Sequence, residues 1–300
     1  MRHILTLTVN RMRLALRTPA FIFFSLVMPM AFLFAFCGFF GRGRPNAIPY
    51  LMASVLALTV MGSFWGLSLQ LVTYREMGIL RRFHLAPLGA GAILASSILS
   101  NYVLTLPTVV LQFLLARWVV HLQHWCNLAG TFILITLGTV TFSALGLIVA
   151  SVTNTAQETQ IINNAFWLLF LFLSGATLPL PLFPGWLQAT AFFLPATPLV
   201  IALQKTMVAR ASIFHLGPEL LSLTVCAAVA FVISQQLFRW DPGEKVPRRA
   251  KLLAASAIIP FLLLGAWEIH SGSLRASALR SFQSMERQSV PQVSPEEPPR

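Results

Sequence analysis

Seven long apolar runs restrict this chain to a multi-pass membrane protein before any motif is considered. An α-helix needs about 20 apolar residues to cross a bilayer, and the fifth and seventh runs only just meet that length. The predicted spans lie at residues 20–40, 49–73, 92–116, 128–152, 159–178, 218–238 and 252–269. Only 10% of the 300 residues are charged, against about 25% in soluble domains. We therefore predict an all-α polytopic membrane protein.

The basic residues predict how the chain is oriented. Its formal net charge is +12. Such an excess can indicate nucleic-acid binding, but here it is explained by basic residues at the ends of spans. We therefore expect contacts with membrane lipids and not with nucleic acid. Cytoplasmic loops are enriched in Lys and Arg, and this rule favours a cytoplasmic N-terminus.

Residues 1–18 are predicted to form an amphipathic helix at the membrane interface. Polar residues, including the basic Arg13 and Arg17, recur there at steps of three and four, and apolar residues occupy the other side. We assign Arg11, Arg13 and Arg17 to this interfacial helix, with its basic face toward anionic headgroups. The alternative is a basic flank that only sets topology.

A charged stretch at residues 74–88 separates the second and third spans. Its arginines and glutamate cannot lie cheaply in hydrocarbon, so it belongs in water or at the headgroups. We predict a short cytoplasmic helix here that could dock a soluble partner, with a basic topology-setting loop as the alternative. The residues assigned to coupling are Tyr74, Arg75, Glu76, Gly78, Arg81, Arg82 and Pro87.

The segment 179–203 is apolar but rich in proline, which prevents one continuous helix. Non-helical backbone at membrane depth must be buried in protein or line a wet cavity. We predict an external re-entrant hairpin of two short helices at about 185–194 and 198–208; a plain external loop is the alternative. Its expected gate residues are Pro179, Pro181, Pro184, Gly185, Trp186, Pro195 and Pro198.

Few polar residues fall within the spans. Gln157, Gln160 and Asn164 share one face at the inner end of the fifth span. They either form hydrogen bonds between helices or line a translocation route. Beyond the sixth span we predict a basic cytoplasmic loop at 241–251, a seventh span at 252–269 and a disordered tail at 270–300. The alternative is that residues 252–269 form a re-entrant or interfacial segment, which would leave the tail on the cytoplasmic side.

We predict no catalytic or metal site. His121, His124 and Cys126 lack a clear fourth ligand, and no GxSxG motif is present. Lys205, Lys245 and Lys251 each follow a residue other than glycine, which rules out the GxxxxGK[ST] phosphate loop. If ATP powers this protein, another chain must hydrolyse it.

Four stretches together resemble one family. They are the N-terminal amphipathic helix, the segment YREMGILRRFHLAPL, the segment TNTAQETQIINNAFWLLFLFLSGATLPL, and the pattern Pro184–Leu187 followed by Leu194–Pro198. In this order, over residues 1 to about 240, they are similar to the permease subunit of ABC-2 type export systems. Two features depart from the family pattern. A basic residue usually follows soon after the last proline motif, where this chain has Gln204 and Lys205. The seventh run lies beyond the usual six spans.

The resemblance implies a six-helix transmembrane domain over residues 19–240, in the cytoplasmic (inner) membrane of a prokaryote. A second permease copy or a paralogue would face this chain, and a separate ABC ATPase subunit would bind ATP and Mg, leaving no cofactor on this chain. The complex would export a drug-like amphipathic compound, a lipid or a glycan. The alternative functions are an ATP-independent secondary transporter or channel and, third, a lipid-modifying enzyme that uses Glu268 or His84.

Overall fold

The computed structural model describes residues 17, 23, 27–40, 47–84, 89–118, 127–240 and 258–289. Throughout these ranges the regular elements are helices and none is a strand, which confirms the predicted all-α class. The helices are α1 Met28–Phe40, α2 Ile48–Met61, α3 Ser63–Glu76, α4 Ile79–His84, α5 Ala90–Trp118, α6 Leu128–Val152, α7 Ala156–Leu173, α8 Gly185–Ala191, α9 Ala196–Val208, α10 Gly217–Gln236, α11 Ile258–Ser271 and α12 Ser273–Ser289. Short 3₁₀ turns occur at Leu180–Leu182 and Ile213–Leu216.

Within the described ranges, four helical stretches are long and apolar enough to cross a membrane: Ile48–Glu76, Ala90–Trp118, Leu128–Val152 and Ile213–Gln236. They overlap the predicted second, third, fourth and sixth spans. The bent pair Gly185–Phe192 and Ala196–Val208 would make a fifth if it counts as one span. Helix α1 overlaps the second half of the predicted first span, whose first half lies mostly outside the described residues, whereas α7 begins among polar residues. A full set of six spans stays a prediction.

Helix α6 is the centre of the bundle and packs against α2, α3, α5, α9 and α10. Its glycines Gly130, Gly138 and Gly146 are eight residues apart, so each is turned about 80° from the one before, and they face α9, α2 with α9, and α3 in turn. Small residues let membrane helices approach closely. At Gly146 an added Cβ would lie 2.4 Å from the carbonyl oxygen of Phe64, which shows that α3 and α6 touch backbone to backbone.

The predicted single helix over 74–88 is wrong. Helix α3 continues through Tyr74 to Glu76, and the separate helix α4 begins at Ile79. Gly78 lies between them with φ +68°, a left-handed conformation that glycine adopts without strain. The charged stretch is therefore a corner between two helices. Pro87 lies outside the described residues.

The proline-rich segment forms two helices, α8 and α9, bent by 96°. Leu199 near the start of α9 lies against Gly138 in the middle of α6, and Thr206 near its end lies against Gly130. With a rise of about 1.5 Å per residue, Gly138 is about 15 Å from the start of α6. The bend between α8 and α9 thus lies level with the middle of α6, and the pair is either a broken span or a re-entrant segment.

The C-terminal segment differs from the prediction. The disordered tail expected at 270–300 is wrong for Ser273–Ser289, which form α12. Helix α11 overlaps the predicted seventh span and ends at a left-handed Gly272, with φ +65°. Helix α12 then packs against α9 and the turn Leu180–Leu182. These tertiary contacts order a segment whose composition alone predicts disorder.

Candidate functional site

Arg75 is the buried centre of the corner between α3 and α4. Its side chain is 3% exposed. One guanidinium nitrogen donates to the carbonyl of Ala150 at 2.9 Å and the other to the carbonyl of Thr153 at 2.5 Å. These carbonyls belong to the C-terminal end of α6, where the helix dipole is negative and the last carbonyls lack partners within the helix. Arg75 therefore caps α6 from a neighbouring helix.

Glu76 caps the start of α7, as Arg75 caps the end of α6. Its carboxylate accepts a hydrogen bond from the backbone N–H of Ala156 at 2.9 Å, at the positive N-terminal end of α7. The same helix start is capped locally, because the Thr155 hydroxyl accepts from the N–H of Glu158 at 3.1 Å. The consecutive residues Arg75 and Glu76 thus hold both ends of the α6–α7 turn. Arg75 places a positive charge at the negative end of α6, and Glu76 places a negative charge at the positive end of α7.

A second arginine converges on the same turn from the end of α10. Arg239 is buried and donates to the carbonyl of Thr153 at 2.5 Å and to the side-chain oxygen of Asn154 at 3.2 Å. The Thr153 carbonyl therefore accepts from two guanidinium groups. We call Arg75, Glu76, Thr153, Asn154 and Arg239 the turn clamp. Thr153, Asn154 and Arg239 were not predicted as site residues, although a helix end followed by Thr-Asn-Thr is a recognisable signal.

The predicted coupling residues separate into buried and exposed groups. Arg75 is inside the clamp, and Tyr74 is half-buried and accepts a hydrogen bond from the Gln70 side chain at 3.2 Å. Arg81 is exposed on α4, and Met77 is exposed to 67% at the corner itself. The side chain of Arg82 lies outside the described set. The outer surface of the corner thus combines an apolar methionine with a cation.

The predicted pathway residues lie on α7, two of them on its outer surface. Gln157 and Asn164 are exposed, and Gln160 is half-buried. Their neighbour Asn163 instead points inward, where its amide donates to the Ser68 hydroxyl at 2.8 Å. The exposed stripe of α7 continues with Ile161, Leu168 and Phe172.

Buried polar residues elsewhere in the spans form bonds between helices. The Asn101 amide donates to the Ser63 carbonyl and to the Ser143 hydroxyl, both at 2.9 Å. The Gln112 amide donates to the Thr59 hydroxyl at 2.7 Å. Such bonds hold membrane helices in register. These two residues are therefore used in helix packing.

The predicted gate residues occupy the ends and bends of the α8–α9 hairpin, which we define as residues 179–208. Pro179, Pro184 and Pro195 each stand at the position before a helical turn. Pro181 lies in the turn Leu180–Leu182, Gly185 begins α8, and Pro198 is buried in the first turn of α9. Trp186 is exposed to 71%.

The hairpin is joined to α10 by an ion pair between the half-buried Lys205 and the buried Glu219. At the same end of the bundle, the Asn127 amide donates to the Ala211 carbonyl at 3.0 Å, just before α6 begins. The turn clamp lies at the other end of α6, whose 25 residues span about 37 Å. The molecule thus has a clamp end and a hairpin end, separated by about the thickness of a bilayer.

A bundle of apolar helices with these two ends is a multi-pass membrane protein. Residues 2–208 match the ABC-2 type transporter family, so this chain belongs to that family. A Bacillus subtilis (strain 168) protein named as a transport permease, YvfS, is 25% identical over 198 residues, covering 63% of this chain and 79% of that protein. The linearmycin resistance permease protein LnrN, from the same organism, is 26% identical over 138 residues, covering 46% of this chain and 36% of LnrN. The chain is a transport permease by these relationships.

Proposed function

We propose that this chain is the permease subunit of an ATP-driven exporter in a prokaryotic inner membrane, with the clamp end in the cytoplasm. The observation that carries the proposal is the corner between α3 and α4. Its outer side presents Met77 and Arg81, and its inner side is bonded to the α6–α7 turn through Arg75 and Glu76. A partner that presses on the corner would therefore move α6 and α7 directly.

The partner proposed is a separate ABC ATPase subunit, which would bind the ATP and Mg. Its movement on ATP binding would shift the packing of the permease between two states, one open inward and one open outward. The substrate class we propose is an amphipathic or hydrophobic compound, a lipid or a glycan. The resistance role named for LnrN supports export as the direction.

Reversing the charge of Arg81 should weaken docking of the ATPase. In Arg81→Glu, the exposed cation of the corner becomes an anion. An acidic ATPase surface that pairs with Arg81 would then meet a like charge, which suppresses association. We expect about a tenfold loss of co-purified ATPase when the permease is expressed with the ABC ATPase of the neighbouring gene. Immunoblotting of both subunits after affinity purification measures the ratio.

The matched control is Arg280→Glu, which makes the same charge reversal on an exposed arginine of α12, at the hairpin end. It should retain the ATPase at the wild-type ratio. If Arg81→Glu and Arg280→Glu retained the ATPase at equal ratios, the corner would not be the docking site. If the wild-type permease retained no ATPase, the result would count against the whole proposed function.

The exposed stripe of α7 is where we propose that a second permease copy faces this one. Gln157, Ile161, Asn164, Leu168 and Phe172 follow a spacing of three and four, as in a helix seam. An exposed asparagine in hydrocarbon is costly, and a polar partner on another helix relieves that cost. Two such stripes would flank the substrate pathway, with Gln157, Gln160 and Asn164 toward its inner end.

This arrangement predicts different cross-linking of two adjacent residues. In a background without the native cysteines, Asn164→Cys should form a disulfide-linked dimer when membranes are oxidised, because its side chain faces outward. Asn163→Cys is the control, since residue 163 is buried against α3. Non-reducing electrophoresis distinguishes them. Dimers of both variants, or of neither, would argue against α7 as the shared face.

A further inference from the structure

The helices α11 and α12 follow the part of the chain that matches the family, which ends at residue 208. Helix α10 ends beside the turn clamp, where Arg239 bonds to Thr153. Helix α12 packs at the other end of the bundle, against α9 and the turn Leu180–Leu182. Between Arg239 and α12, the chain therefore passes from the clamp end of the bundle to the hairpin end.

Helix α11 contacts the bend of the hairpin at close range. A Cβ added to Gly265 would lie 2.2 Å from a ring carbon of Phe193, so the ring rests on the glycine itself. Phe193 lies between α8 and α9, in the bend that lies level with the middle of α6. A larger residue at 265 would push this ring away. The glycine thus permits contact between α11 and the moving part of the proposed gate.

Helix α12 presents a narrow face of small residues to the hairpin. Leu274, Ser277, Ala278 and Ser281 are buried at intervals of three and four residues. Leu274 and Ala278 form one apolar cluster with Leu180, Ala191, Phe192 and Ile201 of the hairpin. Small side chains permit close helix packing. The opposite face, with Arg275, Ala276 and Arg280, is exposed.

We propose that α11 and α12 form a strap that holds the hairpin closed, so that α12 must move before the hairpin can open. The proposal rests on the proposed function, in which the hairpin gates the outer exit. Helix α9 is held between α2 and α6 on its inner side and by α12 on its other side. The strap adds a second set of contacts to the bundle's own packing. Its effect is to keep the exit shut until the ATPase drives the transition.

The test measures access to a buried hairpin residue from outside the cell. Ala191 is fully buried in the cluster with α12, so Ala191→Cys is the reporter in a chain whose Cys37, Cys126 and Cys226 are replaced by alanine. Intact cells are treated with a membrane-impermeant maleimide. Adding Ala278→Trp forces a large side chain into the packed contact, and we expect labelling about tenfold faster than in the reporter alone.

The matched control is Ala276→Trp, which places the same side chain on the exposed face of the same helix. It should leave the labelling rate unchanged. Equal rates in the reporter, the Ala278 variant and the Ala276 variant would overturn the strap.

A cross-link decides the question if Ala278→Trp does not accumulate. Cysteines at Ile201 and Ala278 should form a disulfide when membranes are oxidised, whereas cysteines at Ile201 and Ala276 should not. Failure of the first pair would overturn the strap. Neither measurement needs the ATPase, so a chain that fails to bind an ATPase yet shows these results would refute the proposed function and keep the strap.

Discussion

Arg75→Ala should lower the thermal unfolding midpoint of the purified permease by roughly 6 to 24 °C. A hydrogen bond to a charged group contributes about 1.5–3 kcal/mol, and Arg75 donates two from a buried position. In a chain of this size, about 1 kcal/mol corresponds to roughly 2–4 °C. Intrinsic tryptophan fluorescence of the detergent-solubilised protein measures the midpoint.

Arg275→Ala is the control, because it removes an exposed arginine of α12, far from the clamp. Its midpoint should match the wild type. Arg75→Lys should restore only part of the loss, because an ammonium group lacks the planar fork that reaches two carbonyls at once. If Arg75→Ala and Arg275→Ala unfolded at the same temperature, the clamp would not contribute to stability.

Gly146→Leu should prevent accumulation of folded permease. The atoms opposite Gly146 are backbone atoms of Phe64, at 2.4 Å for the oxygen and 3.0 Å for Cα. No rotamer change can relieve this contact, so α3 and α6 must separate. Gly146→Ala should already cost about 1–3 kcal/mol. The readout is the monodisperse fraction on size-exclusion chromatography, followed by the unfolding midpoint.

Gly66→Ala provides the matched control on α3. Nothing lies within 4 Å of a Cβ added at Gly66, and alanine favours a helix over glycine by about 1 kcal/mol. We expect wild-type or slightly higher stability. A Gly146→Leu variant as stable as Gly66→Ala would contradict the close α3–α6 packing.

The sequence predicted the class of the fold because hydrophobicity alone limits backbone conformation in a bilayer. It placed the charge pair Arg75 and Glu76 in a separate short helix after the second span, whereas the two residues end α3. It did not predict their partners, because a guanidinium that bonds carbonyls 75 or more residues away depends on tertiary packing. Gly78 was assigned to coupling from the sequence, and the structure shows that it forms the left-handed corner between α3 and α4.

Two other differences have equally specific causes. Asn163 and Asn164 are identical in type and adjacent, and only the packing of α7 on α3 shows which one is buried. The tail at Ser273–Ser289 contains serine, arginine and glutamine, which suggested disorder. Its buried face consists largely of Ser and Ala, so a hydrophobic pattern does not reveal it.

The turn clamp also constrains biogenesis. Thr153 accepts from Arg75, which is synthesised before it, and from Arg239, which is synthesised after α10. During translation, the end of α6 can therefore acquire its first guanidinium early but its second only once α10 has been made. The completed clamp marks a chain in which α10 and Arg239 are present, and a nascent chain that stops earlier lacks the second bond to Thr153.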